Sequence, residues 1–414
     1  MKKNSVFILI LVLIASSLVM PMTFNNIAIG IYLLFFLFNL KSLKKEGYII
    51  LYFLPLLLFF VDILSVFNSE NTVNALKILE KRSSMLIFSV GFFLLPKVNN
   101  KQLSKILDSF VVALIGLCLV AMVKAFFLHY QTYGLNFNYQ SYWLIGHHKF
   151  SELVDFHATY FSNYILFALS ILFFNKKSWF KRRLVLKWLT IALFMSCFMI
   201  MSVRTCFLTF LIIIGYLIFD RYRGSRKNLA IATTTAIVGI IILFSTNTML
   251  RERFEDIISV GKSENVSRFG GGKLRMYKWQ TALSIFKENP IFGIGNGDIK
   301  VEMDKKYALL DQDEFDLFGY NAHNQYLDAL ATKGVFGLMV LLLFIGGSLY
   351  FSMVNSSHYS KLLFVLILIN LISFITENIL DINKGIVFLF FFYGLLCSNL
   401  DFNRKLTNEN TSDT

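Results

Sequence analysis

Residues 48–67 read YIILYFLPLLLFFVDILSVF, a run nearly free of charge and as long as the roughly 20 residues that cross hydrocarbon as a helix. Phe7–Met20, Ile27–Leu40 and Leu107–Phe127 repeat the pattern. Lipid offers no partner to backbone N–H and C=O groups, so only helices or closed barrels span it, and long unbroken apolar runs mean helices. The whole chain agrees. Its 414 residues are 56% hydrophobic and 16% aromatic, with a mean hydropathy of +0.60. Charged residues make up 16%, against roughly 25% in a soluble domain of ordinary composition. The expected fold is all-α, a polytopic integral membrane protein of about twelve transmembrane helices with one large helical loop.

Spans are expected near 5–21, 26–40, 48–66, 84–96, 107–128, 158–174, 184–203, 205–219, 228–245, 335–353, 361–376 and 385–400. This divides the chain into an N-terminal bundle (1–245, about nine helices), a long loop (246–334), C-terminal transmembrane helices (335–400) and a tail (401–414). Met1-Lys2-Lys3 followed by an apolar run has the outline of a secretory signal. It lacks a small-x-small cleavage site and is read as an uncleaved first helix. Cys118, Cys197, Cys206 and Cys397 fall in or beside apolar spans at unrelated spacings, which implies neither a disulfide framework nor a metal site.

Lysine and arginine alternate sides along these spans. Lys2/Lys3, Lys41/Lys44/Lys45, Lys97/Lys101/Lys105, the run Lys176–Lys187, Arg221–Lys227, Lys361 and Arg404/Lys405 fall on one side. They outnumber the basic residues in the short connections opposite about threefold, so by the positive-inside rule they are cytoplasmic. Lys81 and Arg82 are counted among those short outer connections. Both termini are then expected in the cytoplasm and the 246–334 loop outside. The net charge of +14 is partly topogenic, and nucleic acid is not an expected partner.

A chain of lipid-facing helices concentrates function in its long loops. Within 246–334, Leu250–Val260 and Leu274–Glu288 read as amphipathic helices, with Pro290 stopping the second. Met276, Trp279, Leu283 and Phe286 share one stripe of that helix. Ala322–Thr332 reads as a further helix, N-capped by Asn321 and ended by Gly334. Gly270-Gly271-Gly272 reads as a flexible connection. Gly293-Ile294-Gly295-Asn296-Gly297 lacks the βαβ setting of a dinucleotide site.

Three residues here have chemistry to offer. Arg204 stands between two apolar runs with almost no loop, where an arginine is costly unless it snorkels to the interface or meets an anion. Its guanidinium matches phosphate oxygens bidentately. Arg275, four residues before Trp279 on an interfacial helix, offers a second positive charge. His323, in the first turn of the last loop helix, has a side chain suited to taking a proton from a hydroxyl nucleophile, and Asn324 follows it. Each also has a plain reading as a snorkelling arginine, a loop cation or a surface histidine. His147, His148 and His157 are rivals on the same side. Glu377 and Asp381, in the last outer connection, read as site carboxylates or, more plainly, as loop residues, with Glu377 retained as a supporting carboxylate.

Taken in order, Arg275-x-x-x-Trp279, Asn289-Pro290-Ile291-Phe292-Gly293-Ile294-Gly295, His323-Asn324-Gln325-Tyr326-Leu327 and Gly334-Val335-Phe336-Gly337-Leu338 resemble the O-antigen ligase and polymerase superfamily of bacterial envelope glycosyltransferases. The likeness covers about 65 residues of the large loop and following helix, and the late position of that loop agrees over the whole length. It implies a metal-independent, cofactor-free, inverting transferase that takes a glycan from a polyisoprenyl-diphosphate carrier to an acceptor hydroxyl on the periplasmic face. The acceptor would be lipid A-core or another glycolipid. By the same resemblance Arg204 and Arg275 would hold the donor diphosphate and His323 would be catalytic, with Trp279, Asn324, His157 and Glu377 in support. The family's membrane-edge arginine usually follows serine directly; here Val203 separates it from Ser202. A polymerase of the same superfamily is the nearest alternative. A transporter or flippase for lipid-linked glycans is the second, though no internal repeat of the kind common in transporters is visible.

Overall fold

A computed structural model of the chain describes residues 2–39, 49–136, 143–246, 251–252, 271–309, 317–355 and 357–400. The described residues form helices and no strand. In chain order they are α1 (Lys2–Ser17), α2 (Met22–Phe38), α3 (Ile49–Phe67), α4 (Thr72–Leu94), α5 (Asn100–Tyr133), α6 (His148–Glu152), α7 (Ala158–Phe174) and α8 (Leu184–Met201). There follow α9 (Arg204–Tyr222), α10 (Arg226–Thr246), α11 (Gly271–Glu288), α12 (Ile299–Tyr307), α13 (Gln325–Val354), α14 (His358–Ser373) and α15 (Asn383–Cys397). Among the described residues α3, α5, α8, α9 and α13 are long and apolar enough to cross a bilayer, and α1, α2, α7, α14 and α15 are shorter apolar helices. The chain is a multi-pass membrane protein. Leu119, Val120, Val123 and Phe126 of α5 are exposed, as side chains that face acyl chains must be.

The chain forms two compact bodies, one comprising Met1–Ala113, Ser170–Lys187 and Lys278–Thr414, the other Leu114–Leu169 and Trp188–Tyr277. The first is built around α15. That helix is apolar on every side, and each residue from Gly385 to Cys397 is buried, the pattern of a helix enclosed by others. Phe391 packs against Phe88 and Phe92 of α4 at ring separations of 5.5 and 5.9 Å, and Phe392 against Phe110 of α5 at 5.0 Å. Tyr393 keeps its hydroxyl satisfied by donating to the Leu51 carbonyl of α3 at 2.9 Å, so a polar group is carried into the core without an orphan.

Helix α13 is broken at Gly334, whose φ of 65° and ψ of −163° lie outside helical space. The break frees backbone groups, and the segment 289–295 takes them up. Val335 and Phe336 N–H donate to the carbonyls of Pro290 and Ile291, at 2.9 and 3.4 Å; Ile294 and Gly295 N–H donate to Ala331 and Thr332, at 3.0 and 2.9 Å. A side chain at Gly334 would overlap the Ile291 carbonyl, and one at Gly293 the Thr332–Lys333 peptide. The two glycine-containing motifs are thus halves of one interlock.

Several sequence expectations need correction. The fourth span was expected to begin near 84, but α4 begins at Thr72, with Asn71 accepting from Asn74 N–H and Asp298 accepting from the N–H groups of Glu70 and Asn71. Lys81 and Arg82 therefore lie within a helix rather than a connection. The helix expected from Ala322 starts at Gln325, because Asn324, not Asn321, accepts the first-turn N–H groups of Tyr326 and Leu327. The stripe Met276, Trp279, Leu283 and Phe286 of α11 is only partly covered. Met276 and Leu283 are exposed, while Lys278, Thr281, Ala282 and Ile285 are buried. Gly271 and Gly272 belong to α11. Gly270 and, past residue 252, the helix expected over Leu250–Val260 lie outside the described residues.

Candidate functional site

In the first body, the start of α4, the interlock loop, α12 and the approach to α13 surround a cavity of about 350 Å³. Its floor is ionic. Asp62, the one charge in the stretch 48–67, is 2% exposed and receives Arg82 Nη1 at 2.5 Å and Lys333 Nζ at 2.7 Å. Arg82 reaches Asp381 with Nη2 at 2.7 Å and the Leu380 carbonyl with Nε at 3.0 Å. Asn296 of the interlock loop adds an amide donor to Asp62 at 3.1 Å. Asp328, fully enclosed beside them, receives the Gln325 side-chain amide at 3.4 Å. Charges removed from water persist only when paired and hydrogen-bonded, and here each ion has at least one partner. The cluster joins α3, α4, α13 and the turn Ile379–Asp381, fixing the cavity wall from four elements.

His323 stands at the cavity on a backbone held at φ 45°, a conformation uncommon for any residue but glycine. Its neighbours impose that strain. Asn321 Oδ1 accepts the His323 N–H at 3.1 Å, Asn378 Oδ1 accepts the Asn324 N–H at 2.8 Å, and the Phe374 carbonyl accepts the Gln325 N–H at 2.8 Å. Gln325 Oε1 in turn accepts the Leu380 N–H at 2.8 Å. The His-Asn-Gln sequence therefore divides its work: Asn324 and Gln325 lock the corner, and the imidazole is left part-exposed. Its Nδ1 lies 3.5 Å from Glu377 Oε2, a carboxylate that is largely buried. Such a neighbour orients the ring and stabilises the imidazolium formed on proton uptake. At the rim stand Lys81 and Lys300, both exposed, together with Asn74 and Tyr320. The Tyr320 ring is stacked under the ammonium of buried Lys278 at 3.6 Å. Trp279 is half-buried on α11.

The second body holds Arg204, Arg275 and His157. The chain breaks between α8 and α9 at Ser202, where φ is 45°. His147 docks on the break, donating its N–H to the Ile200 carbonyl at 3.0 Å with Nδ1 3.1 Å from the Met201 carbonyl. Arg204 is thereby set, half-buried, as the first residue of α9. A cation there opposes the helix dipole, an opposition that an anion at that turn would offset. The His148 ring lies tilted against those of His147 and His157, with centroids 3.8 and 4.9 Å away. Arg275 is half-buried near the start of α11.

Residues 188–342 match the sequence profile of a family described as O-antigen ligase. This segment resembles the O-antigen ligase superfamily. The matched residues include Arg204, Arg275, Trp279, His323, Asn324 and the break at Gly334; Asp62, Arg82, Glu377 and Asp381 lie outside them. The chain is also similar to an uncharacterized protein of Haemophilus influenzae (strain ATCC 51907 / DSM 11121 / KW20 / Rd), at 25% identity over 199 residues. That match takes in 45% of this chain and 49% of the relative, so the chain spans about half the length of the curated relative it matches.

The ionic floor is what sequence reasoning missed. Asp381 was read as a loop residue and Arg82 as a connection charge, yet they meet at 2.7 Å. One signal was available: an isolated aspartate within a membrane-length apolar run marks a functional or paired site by its cost alone.

Proposed function

We propose that this protein is a ligase-type glycosyltransferase of the bacterial inner membrane, with both termini cytoplasmic and the 246–334 loop periplasmic. It would move a glycan from a polyisoprenyl-diphosphate carrier to a hydroxyl of a glycolipid acceptor. The observation that carries the reading is His323, held in a strained turn beside Glu377 at the edge of a polar cavity. Strain of this kind, on the order of 1–3 kcal/mol, persists where surroundings over-determine it, and it clusters at working sites.

His323 takes the proton of the acceptor hydroxyl as its oxygen attacks the anomeric carbon from the side opposite the leaving diphosphate, which inverts that centre. Glu377 stabilises the resulting imidazolium. Negative charge develops on the departing diphosphate, and Arg204 and Arg275 are assigned to it because paired guanidinium groups match phosphate oxygens. Lys81, Lys300 and Asn74 at the cavity rim suit the hydroxyls and acidic substituents of an acceptor sugar. Asp62, Arg82, Lys333 and Asp381 hold the wall on which His323 and Glu377 sit.

The test is deletion of the gene in its native host, with complementation by the wild type and by His323→Ala, followed by resolution of envelope glycolipids on a gel. A ligase leaves glycolipid without polymer and long chains on the carrier. Single repeat units on an otherwise normal glycolipid would make the protein a polymerase. Full complementation by His323→Ala would overturn the assignment of that residue.

A further inference from the structure

The same body contains a second and larger cavity at the other end of α4. The candidate site uses the first three turns of that helix, from Asn74 to Arg82. The second cavity begins at Lys101, just beyond the helix's C-terminal end, and α4's 23 residues measure about 35 Å. It is a cleft of about 1160 Å³ lined by α1, the start of α5 and the turn between α7 and α8.

Six cations converge on the mouth of this cleft: Lys101, Lys105, Lys176, Lys177, Lys181 and Arg182. None of the six forms an ion pair among the described residues. Asp108, the one acidic residue of the lining, is already engaged: it accepts from Ser178 Oγ at 2.7 Å and Trp179 N–H at 2.8 Å. Asn175 donates to Ser104 Oγ at 3.0 Å. These bonds fix the basic turn on α5, so the charges surround a built cleft. The positive-inside rule accounts for basic residues on this side of the membrane, but it does not require them to face one another across a cavity. Like charges so gathered repel, and an anion among them removes the repulsion.

The lining changes character along its length. From Lys101 to Ala113 helix α5 rises about 18 Å, and over that rise the wall passes from lysines to Ser109, Val112 and Ala113, with Val12 and Ser16 of α1 opposite. Trp179, 47% exposed with the Arg183 guanidinium 3.8 Å from its ring centre, sits at the level of the charges, where tryptophan marks a headgroup region. A basic mouth leading to an apolar wall has the polarity profile of a lipid, and basic pockets between helices at the cytoplasmic face take anionic headgroups.

We infer that this cleft binds an anionic phospholipid, its phosphate among the lysines and Arg182 and an acyl chain along Val12, Val112 and Ala113. The cleft's volume exceeds the roughly 300–1,000 Å³ of ordinary small-ligand pockets, which fits an amphiphile better than a free anion.

The full-length protein in nanodiscs of phosphatidylcholine with added phosphatidylglycerol would be released and analysed by native mass spectrometry. The wild type is expected to retain phosphatidylglycerol preferentially. The triple variant Lys176→Gln/Lys181→Gln/Arg182→Gln should lose that preference at least about tenfold, since each basic residue near the surface contributes to attraction. The charge-conserving Lys176→Arg/Lys181→Arg/Arg182→Lys variant should keep it. Arg221→Gln/Arg223→Gln/Lys227→Gln, which removes as many cations from another segment of the same side, should also keep it. Equal retention of both lipids by the wild type, or preference persisting in the triple variant, would overturn the inference. Displacement of phosphatidylglycerol by inorganic phosphate alone would do so too, by reducing the cleft to a free-anion site.

Discussion

His323 Nδ1 stands 3.5 Å from Glu377 Oε2, across 54 residues of sequence and two membrane helices. The pair is held by backbone-to-side-chain hydrogen bonds between the residues that follow each member, Asn324 N–H to Asn378 Oδ1 and Leu380 N–H to Gln325 Oε1, both at 2.8 Å. The loop carrying His323 and the loop carrying Glu377 are therefore one structural unit. On the proposed reading the carboxylate positions the imidazole rather than serving as an independent base.

That relationship separates two variants. His323→Ala should lower kcat of glycan transfer by about 10²–10⁴-fold, the range for a lost general base. Glu377→Gln should lower kcat less, by roughly tenfold, with the acceptor KM nearly unchanged, because an amide still fills the space but cannot stabilise the imidazolium. Equal effects of both in an assay with purified lipid-linked donor would contradict the division of roles.

The ionic floor makes a stability prediction. Asp62→Ala leaves Arg82 and Lys333 facing each other without their shared carboxylate, and breaking a buried pair in this way costs about 3–5 kcal/mol. Thermal unfolding in detergent should show a marked loss. Asp62→Asn/Lys333→Met should recover part of it, since Arg82 keeps Asp381.

The interlock is tested at its glycine. Gly334→Ala forces a β-carbon onto the Ile291 carbonyl at a φ that L-residues avoid. A loss of about 1–3 kcal/mol and a lower melting temperature are expected. Gly346→Ala, in the same helix with open space around it, should leave stability unchanged or slightly raised.

For the donor diphosphate, Arg204→Lys retains the charge and removes the planar fork. A charge-assisted hydrogen bond contributes about 1.5–3 kcal/mol, so kcat/KM should fall by roughly 10- to 150-fold. A fully active Arg204→Lys enzyme would show that bidentate geometry at this position is not needed, and a fully active Arg204→Ala enzyme that Arg204 marks a helix end and nothing more.

The sequence by itself determined that the chain is helical and crosses a membrane many times, because residues 48–67 and their counterparts have nowhere else to satisfy both side chains and backbone. It also marked His323, Arg204, Arg275 and the glycine motifs, whose chemistry is carried within a few neighbouring residues. The ionic floor was not legible. Asp62, Arg82, Lys333 and Asp381 are scattered over 320 residues, and each alone reads as a stray charge or a loop residue. Only tertiary packing brings them within 2.7 Å, and only burial makes their pairing obligatory. Nor could periodicity identify the buried side of α11, because on a helix beside lipid both faces can be apolar and the neighbouring Tyr320 turns Lys278 inward. Local sequence fixes which groups are present; which ones face each other is set by non-local contacts whose energy appears only once water has been excluded.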